Sequence, residues 1–389
     1  MLSSHIDAAE IDAATGGSML GALTIQRLLM KMSEVEASDL HIKAGSPPVL
    51  RIASVLHKID SPALNADDTR QLLAPLIPDH LRSMLEQRGG IDFSHHEGED
   101  HRFRCSVFHA GHGLHAAIRR VNPKVPDFDD LNLPPIYETM TSETHEGLVI
   151  VCGVTGSGKS STLAAMIDHI NHRRGVNILT VEDPIEYLFR PDHGFVSQRE
   201  IGIDVPDFPT ALRSAVRQDP DVLMIGEMRD RETMLAGIQA AETGHLVFAT
   251  LHTADTMQAL ARVLEFFDTR DHAFIRSGLS AGLRAVMAQR LIPCVKEGVQ
   301  RVPATEVLLN NSTVSDKIRE GEDEDLPAVI NASEGEGMHD FTSSIAQLVK
   351  RDMVALKTAE KYAPNAEALR SRVRGIQVKA DTLVQRVKK

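Results

Sequence analysis

Eight residues near the middle of the chain, Gly153-Val154-Thr155-Gly156-Ser157-Gly158-Lys159-Ser160, carry the chemistry needed to hold a polyphosphate. The glycines permit a tight curl that turns several backbone N–H groups toward one point. Lys159 supplies a cation able to reach β- and γ-phosphates, and Ser160 a hydroxyl oxygen for Mg²⁺. An apolar run at 148–152 precedes the loop and a helical stretch at 161–170 follows it. That context separates a working G-x-x-x-x-G-K-S from a chance glycine-rich turn, because the helix N-terminus adds partial positive charge at the phosphates. The expected ligands are ATP and Mg²⁺. The expected contacts are Gly153, Thr155, Gly156, Ser157, Gly158, Lys159, Ser160 and Ser161.

Hydrolysis also needs carboxylates beside such a loop, one to organise the metal and one to orient water. The strand-like run 178–181 leads into Glu182-Asp183-Pro184-Ile185-Glu186, and 222–225 leads into Gly226-Glu227. An acid after a strand is ordinary loop polarity by itself. After a phosphate loop in the same domain it becomes an expected metal or water ligand, although spacing does not decide which acid is the base. His245 and His252 bracket the run HLVFATLH. Seven apart on a strand, they point to opposite faces and make poor joint metal ligands. Sensing of a γ-phosphate and a hydrogen-bonded core histidine both remain open for them. His109, His112 and His115 crowd a second place, but a hairpin bend disperses them and no acid or cysteine joins them, which argues against a metal site.

The elements that must hold these groups are legible as texture. Apolar runs at 147–152, 177–181, 221–225 and 246–251 alternate with helical stretches, the pattern of a largely parallel sheet covered on both faces. Upstream, a helix is expected over 18–34, strands over 38–43, 49–52 and 54–59, a helix over about 66–87, and a hairpin from 101–108 and 114–121. Pro123, Pro126, Pro134 and Pro135 mark a linker. The expected organisation is a tail (1–17), an N-terminal α/β domain (18–121), a linker (122–141), a second α/β domain (142–362) and a basic C-terminal tail (363–389).

At 389 residues the chain exceeds one ordinary core, so two domains are the natural expectation. Its net charge of -12 argues against bulk affinity for nucleic acid, which depends on neutralising phosphates. Cys105, Cys152 and Cys294 are too far apart for a zinc pair or a disulfide framework, which fits a reducing, cytoplasmic setting. No leader-like segment opens the chain, and no apolar run approaches the roughly 18 residues of a membrane span. The acidic run 320–325 and the basic stretch 364–389 read as solvated surface and a frayed helix. A basic tail touching an acidic partner or an anionic bilayer is the alternative.

Taken in order, GVTGSGKSST, ILTVEDPIEY, VRQDPDVLMIGEMRD and AAETGHLVFATLHT, with ASDLHIKAGSPPVLR nearer the N-terminus, resemble the secretion ATPase superfamily. Within it the match is to the PilT/PilU-type ATPases of type IV pilus retraction, over roughly residues 20–350. The resemblance implies a PAS-like N-terminal domain followed by a RecA-like P-loop ATPase domain. It implies Glu186 as general base, Glu227 in the metal-organising acidic position, and His245 and His252 as nucleotide sensors. It implies a homo-hexamer in which arginines complete a neighbour's ATP site; Arg102, Arg104 and Arg119 fit that pattern, with Arg104 and Arg119 foremost. The implied partner is a pilus platform protein in the inner membrane, met from the cytoplasmic side, and a second retraction ATPase is a further candidate. Two departures stand out: His109-Ala110-Gly111-His112 replaces a loop that usually carries an arginine, and Ser315-Asp316-Lys317-Ile318-Arg319-Glu320 only partly matches the retraction motif. The rival readings are an assembly or accessory ATPase of a pilus or type II secretion system, and a nucleic-acid motor, against which the charge argues.

Overall fold

A computed structural model describes residues 5–6, 23–52, 55–98, 101–111, 113–122 and 124–375. Its contacts form two units. The first ends at Lys124 and also takes in Glu186–Leu188; the second begins at Val125.

In the first unit the strands β1 (His5–Ile6), β2 (Asp39–Ile42), β3 (Val49–Ile52), β4 (Val55–Ile59), β5 (Gly90–Glu97), β6 (His101–Ala110) and β7 (Gly113–Arg120) form one sheet in the order β1-β4-β3-β2-β7-β6-β5. Helix α1 (Ile25–Glu34) starts where the Thr24 hydroxyl accepts the Arg27 N–H, and it buries Ile25, Leu28, Leu29 and Met32 at helical spacing. The expected helix began at 18; residues 18–22 lie outside the described ones. The helical stretch expected over about 66–87 holds two helices, α2 (Ala66–Leu73) and α3 (Asp79–Arg88). Pro78 separates them, since it has no N–H to donate and disfavours helix at the residue before it. Strand β5 escaped the sequence reading because only Ile91 and Phe93 interrupt its polar residues.

The second unit is built on β8 (Gly147–Cys152), β9 (Asn177–Glu182), β10 (Phe195–Glu200), β11 (Val222–Ile225), β12 (Leu246–Leu251), β13 (Leu283–Pro293) and β14 (Arg301–Leu309). Their order is β10-β9-β11-β12-β8-β13-β14, parallel throughout except for the antiparallel β13–β14 edge. Every residue of β8, β11 and β12 is buried, the reason these strands read as unbroken apolar runs. The helices are α4 (Ile136–Glu143), α5 (Lys159–Arg173), α6 (Phe208–Ala215), α7 (Arg231–Glu242), α8 (Thr256–Glu265), α9 (His272–Gly282), α10 (Ser312–Glu320), α11 (Leu326–Ala332), α12 (Phe341–Lys350), α13 (Leu356–Tyr362) and α14 (Ala366–Val373).

Three stretches differ from expectation. Helix α4 starts inside the stretch read as linker and buries Tyr137 completely. Helix α14 lies in the stretch read as tail: Leu369 is buried, Arg370 pairs with Glu360 at 2.6 Å, and Arg372 pairs with Glu334. The basic residues nearest the domain are thus neutralised by its own acids, while 376–389 lie outside the described residues. The acidic run is likewise bound. Asp323 takes both Nη atoms of Arg276, at 2.7 and 2.6 Å, and Lys317 pairs with Glu322 and Asp325. Among the described residues no helix is long and apolar enough to cross a membrane.

Candidate active site

The phosphate loop leaves the end of β8 and opens α5. Gly153, Gly156 and Gly158 hold φ of 155°, 78° and 92°, a region costly to residues with a Cβ. At Gly153 the space is closed as well. A Cβ there would lie 2.4 Å from Ser157 Oγ and 2.5 Å from the Gln289 carbonyl oxygen. Lys159, 8% exposed, arches back over the loop and donates from Nζ to the Gly153 carbonyl at 2.9 Å and the Val154 carbonyl at 3.3 Å. The buried Ser157 hydroxyl has no hydrogen-bond partner among the described residues. Ser160 and Ser161 form the first turn of α5.

Strand order brings the second half of the site together. Because β12 lies between β8 and β11, the residue after β12 falls between the phosphate loop and the acid that follows β11. That residue is His252. Its Nδ1 lies 3.4 Å from Thr155 Oγ1 and its Nε2 3.3 Å from Glu227 Oε2. Partial burial, then the nearby Lys159 ammonium, lower its pKa below the ordinary imidazole value. Glu227 also takes Arg229 Nη2 at 2.6 Å, which raises the guanidinium's pKa. A cleft of about 670 Å³ opens here, with Val154, Glu227, Arg229, His252, Thr253 and Arg262 in its wall.

His245 is not part of this constellation. It precedes β12 at the opposite end of the strand, roughly 20 Å away at about 3.3 Å per residue. Its Nδ1 lies 3.0 Å from the Ala240 carbonyl oxygen. A single strand separates the two histidines expected to sense nucleotide: His252 reaches the loop, and His245 sits at the strand's other end. Of the acids at the end of β9 and beyond it, Glu182 is buried and accepts from Thr180 Oγ1 at 2.7 Å and Gln198 Nε2 at 3.0 Å. Glu186 is exposed and groups with the first unit, where neighbouring Tyr187 bridges Asn122.

On the first unit's sheet, Arg104 and Arg119 stand directly opposite each other across β6 and β7, and Asp39 is opposite Arg119 across β2. Asp39 holds Arg119 Nε at 2.9 Å, with Arg51 Nε 3.7 Å away on its other side. Arg104 is exposed.

Two groups of the second unit escaped the sequence reading. Arg229 stood in plain view two residues after Glu227 but carries no signature of its own. Gln289 comes from β13, a strand not recognised beforehand, and its buried side chain donates from Nε2 to the Ser157 carbonyl at 2.8 Å and accepts from Thr162 Oγ1 at 2.9 Å. Cys152, just before the loop, is inert by burial, its pKa pushed up to about 12.

A strand–loop–helix phosphate cradle, with an acid and a histidine on the next strands of a parallel sheet, defines a RecA-like P-loop ATPase domain; here it follows a PAS-like α/β domain. Residues 15–376 match the family described as type II/IV secretion system protein, and the chain belongs to that family. It is an ATPase that binds adenine nucleotide. It is 36% identical to the type IV pilus retraction ATPase PilT of Pseudomonas aeruginosa over 88% of this chain and 98% of that one. It is equally identical, at 36%, to the type IV pilus ATPase PilU of the same organism, over 93% of this chain and 94% of that one. The crystal structure of the pilus retraction motor PilT with bound ADP superposes with a TM-score of 0.81 at 37% identity, covering 89% of this chain and 98% of that chain.

Proposed function

We infer that the chain is the ATP-hydrolysing subunit of a motor that retracts a type IV pilus. One observation carries the reading: Lys159, Glu227 and His252 converge at one end of the sheet in a chain similar along most of its length to a pilus retraction ATPase.

The groups present suit a nucleotide's phosphates. The Lys159 ammonium lies against loop carbonyls, which are weaker acceptors than a phosphate oxygen, and the Ser157 hydroxyl is buried without a partner among the described residues. Loop N–H groups and Lys159 would hold the β- and γ-phosphates, with Thr155, Ser160 and Ser161 closing around them. The Ser160 hydroxyl and the Glu227 carboxylate are oxygen donors suited to Mg²⁺, which when bound neutralises charge on the transferring phosphoryl group. Glu186 takes the proton of the attacking water. His252, hydrogen-bonded in reach of both the loop and Glu227, reports the γ-phosphate to the acid.

Six copies form a ring in which Arg104 and Arg119 of one subunit reach the nucleotide of the next, where a trans arginine is worth about 10³–10⁵ in rate. The ring works at the cytoplasmic face against a platform protein in the inner membrane, with a second retraction ATPase as a further partner. One alternative reading is an accessory ATPase beside a stronger motor.

Hydrolysis by the purified full chain should fall to background in Lys159→Ala and by about 10²–10⁴ in Glu186→Gln, if that carboxylate is the base. Equal rates in all three proteins would end the enzymatic reading of these residues. Deleting the gene in its host should leave cells with excess pili and no twitching. Bald cells would make it an assembly motor, and unchanged cells an accessory subunit.

A further inference from the structure

We propose that Gln289 is a positioning residue for ATP hydrolysis, a brace from the neighbouring strand that sets the curvature of the phosphate loop. The inference rests on the loop around Lys159 being the nucleotide site.

The register explains how a residue so distant in sequence reaches the loop. β13 runs parallel to β8 with Ala288 opposite Cys152, so Gln289 stands beside the first residue of the loop. Its side chain, 2% exposed, then spans the loop's base. The Ser157 carbonyl can only accept, so the amide NH₂ faces it, and the amide oxygen is left to accept from Thr162 Oγ1 on α5. One amide thus ties the loop to the helix that follows it.

Two glycines border the same group. The Gln289 carbonyl oxygen would lie 2.5 Å from a Cβ on Gly153, and its Nε2 3.1 Å from a Cβ on Gly158. The brace occupies space that those glycines leave open.

The consequence concerns the next peptide bonds along the loop. Fixing the Ser157 carbonyl inward on Gln289 orients the peptide that joins Ser157 to Gly158, whose N–H lies on the opposite side of the peptide plane from that carbonyl. Without the brace that peptide can rotate, and phosphate binding must then supply the ordering. A group that preorganises binding in the ground and transition states alike acts on KM more than on kcat.

The test compares wild type, Gln289→Leu and Gln289→Glu as full-length protein. Nucleotide affinity is read by titration with a fluorescent ADP analogue, and kcat and KM by steady-state hydrolysis, both across pH; circular dichroism and thermal unfolding monitor the fold. Leucine fills the space but leaves the Ser157 carbonyl and the Thr162 hydroxyl without their partner. It should weaken ADP binding and raise KM by roughly 10-fold or more, with kcat changed by no more than about 3-fold. A protonated glutamic acid has one O–H donor and one acceptor oxygen and can reproduce both bonds; the carboxylate cannot donate. The affinity of Gln289→Glu relative to wild type should therefore recover as pH is lowered, and that of Gln289→Leu should not.

A folded Gln289→Leu protein with wild-type affinity and KM would overturn the proposal. So would a Gln289→Glu protein whose affinity stays below wild type by a constant ratio across pH. Should the leucine variant not fold, the glutamate variant decides alone, because its two protonation states are compared within one polypeptide. Lys159→Ala, titrated in parallel, tests the underlying assignment separately: if it binds ADP like wild type, the nucleotide site itself is wrong.

Discussion

His252 is the residue where the two halves of the site meet, and its protonation state decides what it can do there. Burial and Lys159 hold it neutral at neutral pH, so it can donate from one nitrogen and accept at the other, between Thr155 and Glu227. The sign of its pH dependence follows. Because its pKa is lowered, the cation forms only as pH falls below the ordinary imidazole range. It would then hold Glu227 in an ion pair, making that carboxylate a poorer partner for a metal. Hydrolysis should decline on the acid side, and His252→Gln should lose part of that limb while being slower at neutral pH. Superimposable pH–rate profiles would show that His252 ionisation has no part in the reaction. Its relevance was half legible: the residue type and its place after an apolar strand could be read, but the pairing with Glu227 could not. The same pattern is present at His245, and nothing local distinguishes the two histidines. Strand direction relative to the phosphate loop distinguishes them.

At the level of elements, strand ends and helix starts hold the second unit's site in place. Helix α8 begins four residues after His252, with Asp255 capping it by accepting the Gln258 N–H. A second acid holds that start from outside. Glu306 of β14 accepts from the Thr256 N–H at 3.0 Å and from its hydroxyl at 2.7 Å. Glu306→Ala would leave those donors without a partner and should cost about 1–3 kcal/mol of stability. Burial also raises the pKa of Glu306, so folding favours its protonated form more than the unfolded chain does. Its stabilising contribution is complete below the ordinary carboxylate pKa and is lost as pH rises through the raised value. Glu306→Gln keeps an acceptor and removes the titration, so the difference in melting temperature between it and wild type should vary with pH in that direction. A constant difference would refute the assignment. Beside it, β13 serves two faces: Gln289 braces the loop, whereas Arg290 stacks 3.7 Å from the centre of the Phe341 ring and donates to the Tyr362 carbonyl. The C-terminal helices are thereby tied to the strand that shapes the phosphate site.

For the whole molecule, the question is how a subunit becomes a motor. Arg104 and Arg119 share one row of the N-terminal sheet and both are exposed, but they are not equivalent, since Asp39 holds Arg119. Arg104 is the freer candidate to reach a neighbour. In rings co-expressed from Arg104→Ala and Glu186→Gln subunits, some interfaces combine an intact base with an intact arginine. Their hydrolysis should exceed the weighted mean of the two parent proteins. A rate at or below that mean would place the arginine's action within its own subunit, or outside the reaction. The charge runs also resolve at this scale: Glu322, Asp323 and Asp325 and the first arginines of the C-terminal stretch close on partners within the second unit.

The sequence by itself determined the parts whose physics is local. Gly153 to Ser160 specify a phosphate loop because glycine conformation and the start of a helix suffice to build one, and the buried strands declare themselves because they are covered on both faces. It also determined the family, through the order of four motifs. Only the tertiary structure decided which groups meet. Strand order put β12 between β8 and β11 and thereby chose His252 over His245; register across β8 and β13 brought Gln289 to the loop from more than a hundred residues away. Sheet pairing acts between segments remote in the chain, and no spacing along the sequence encodes which strand will lie beside which.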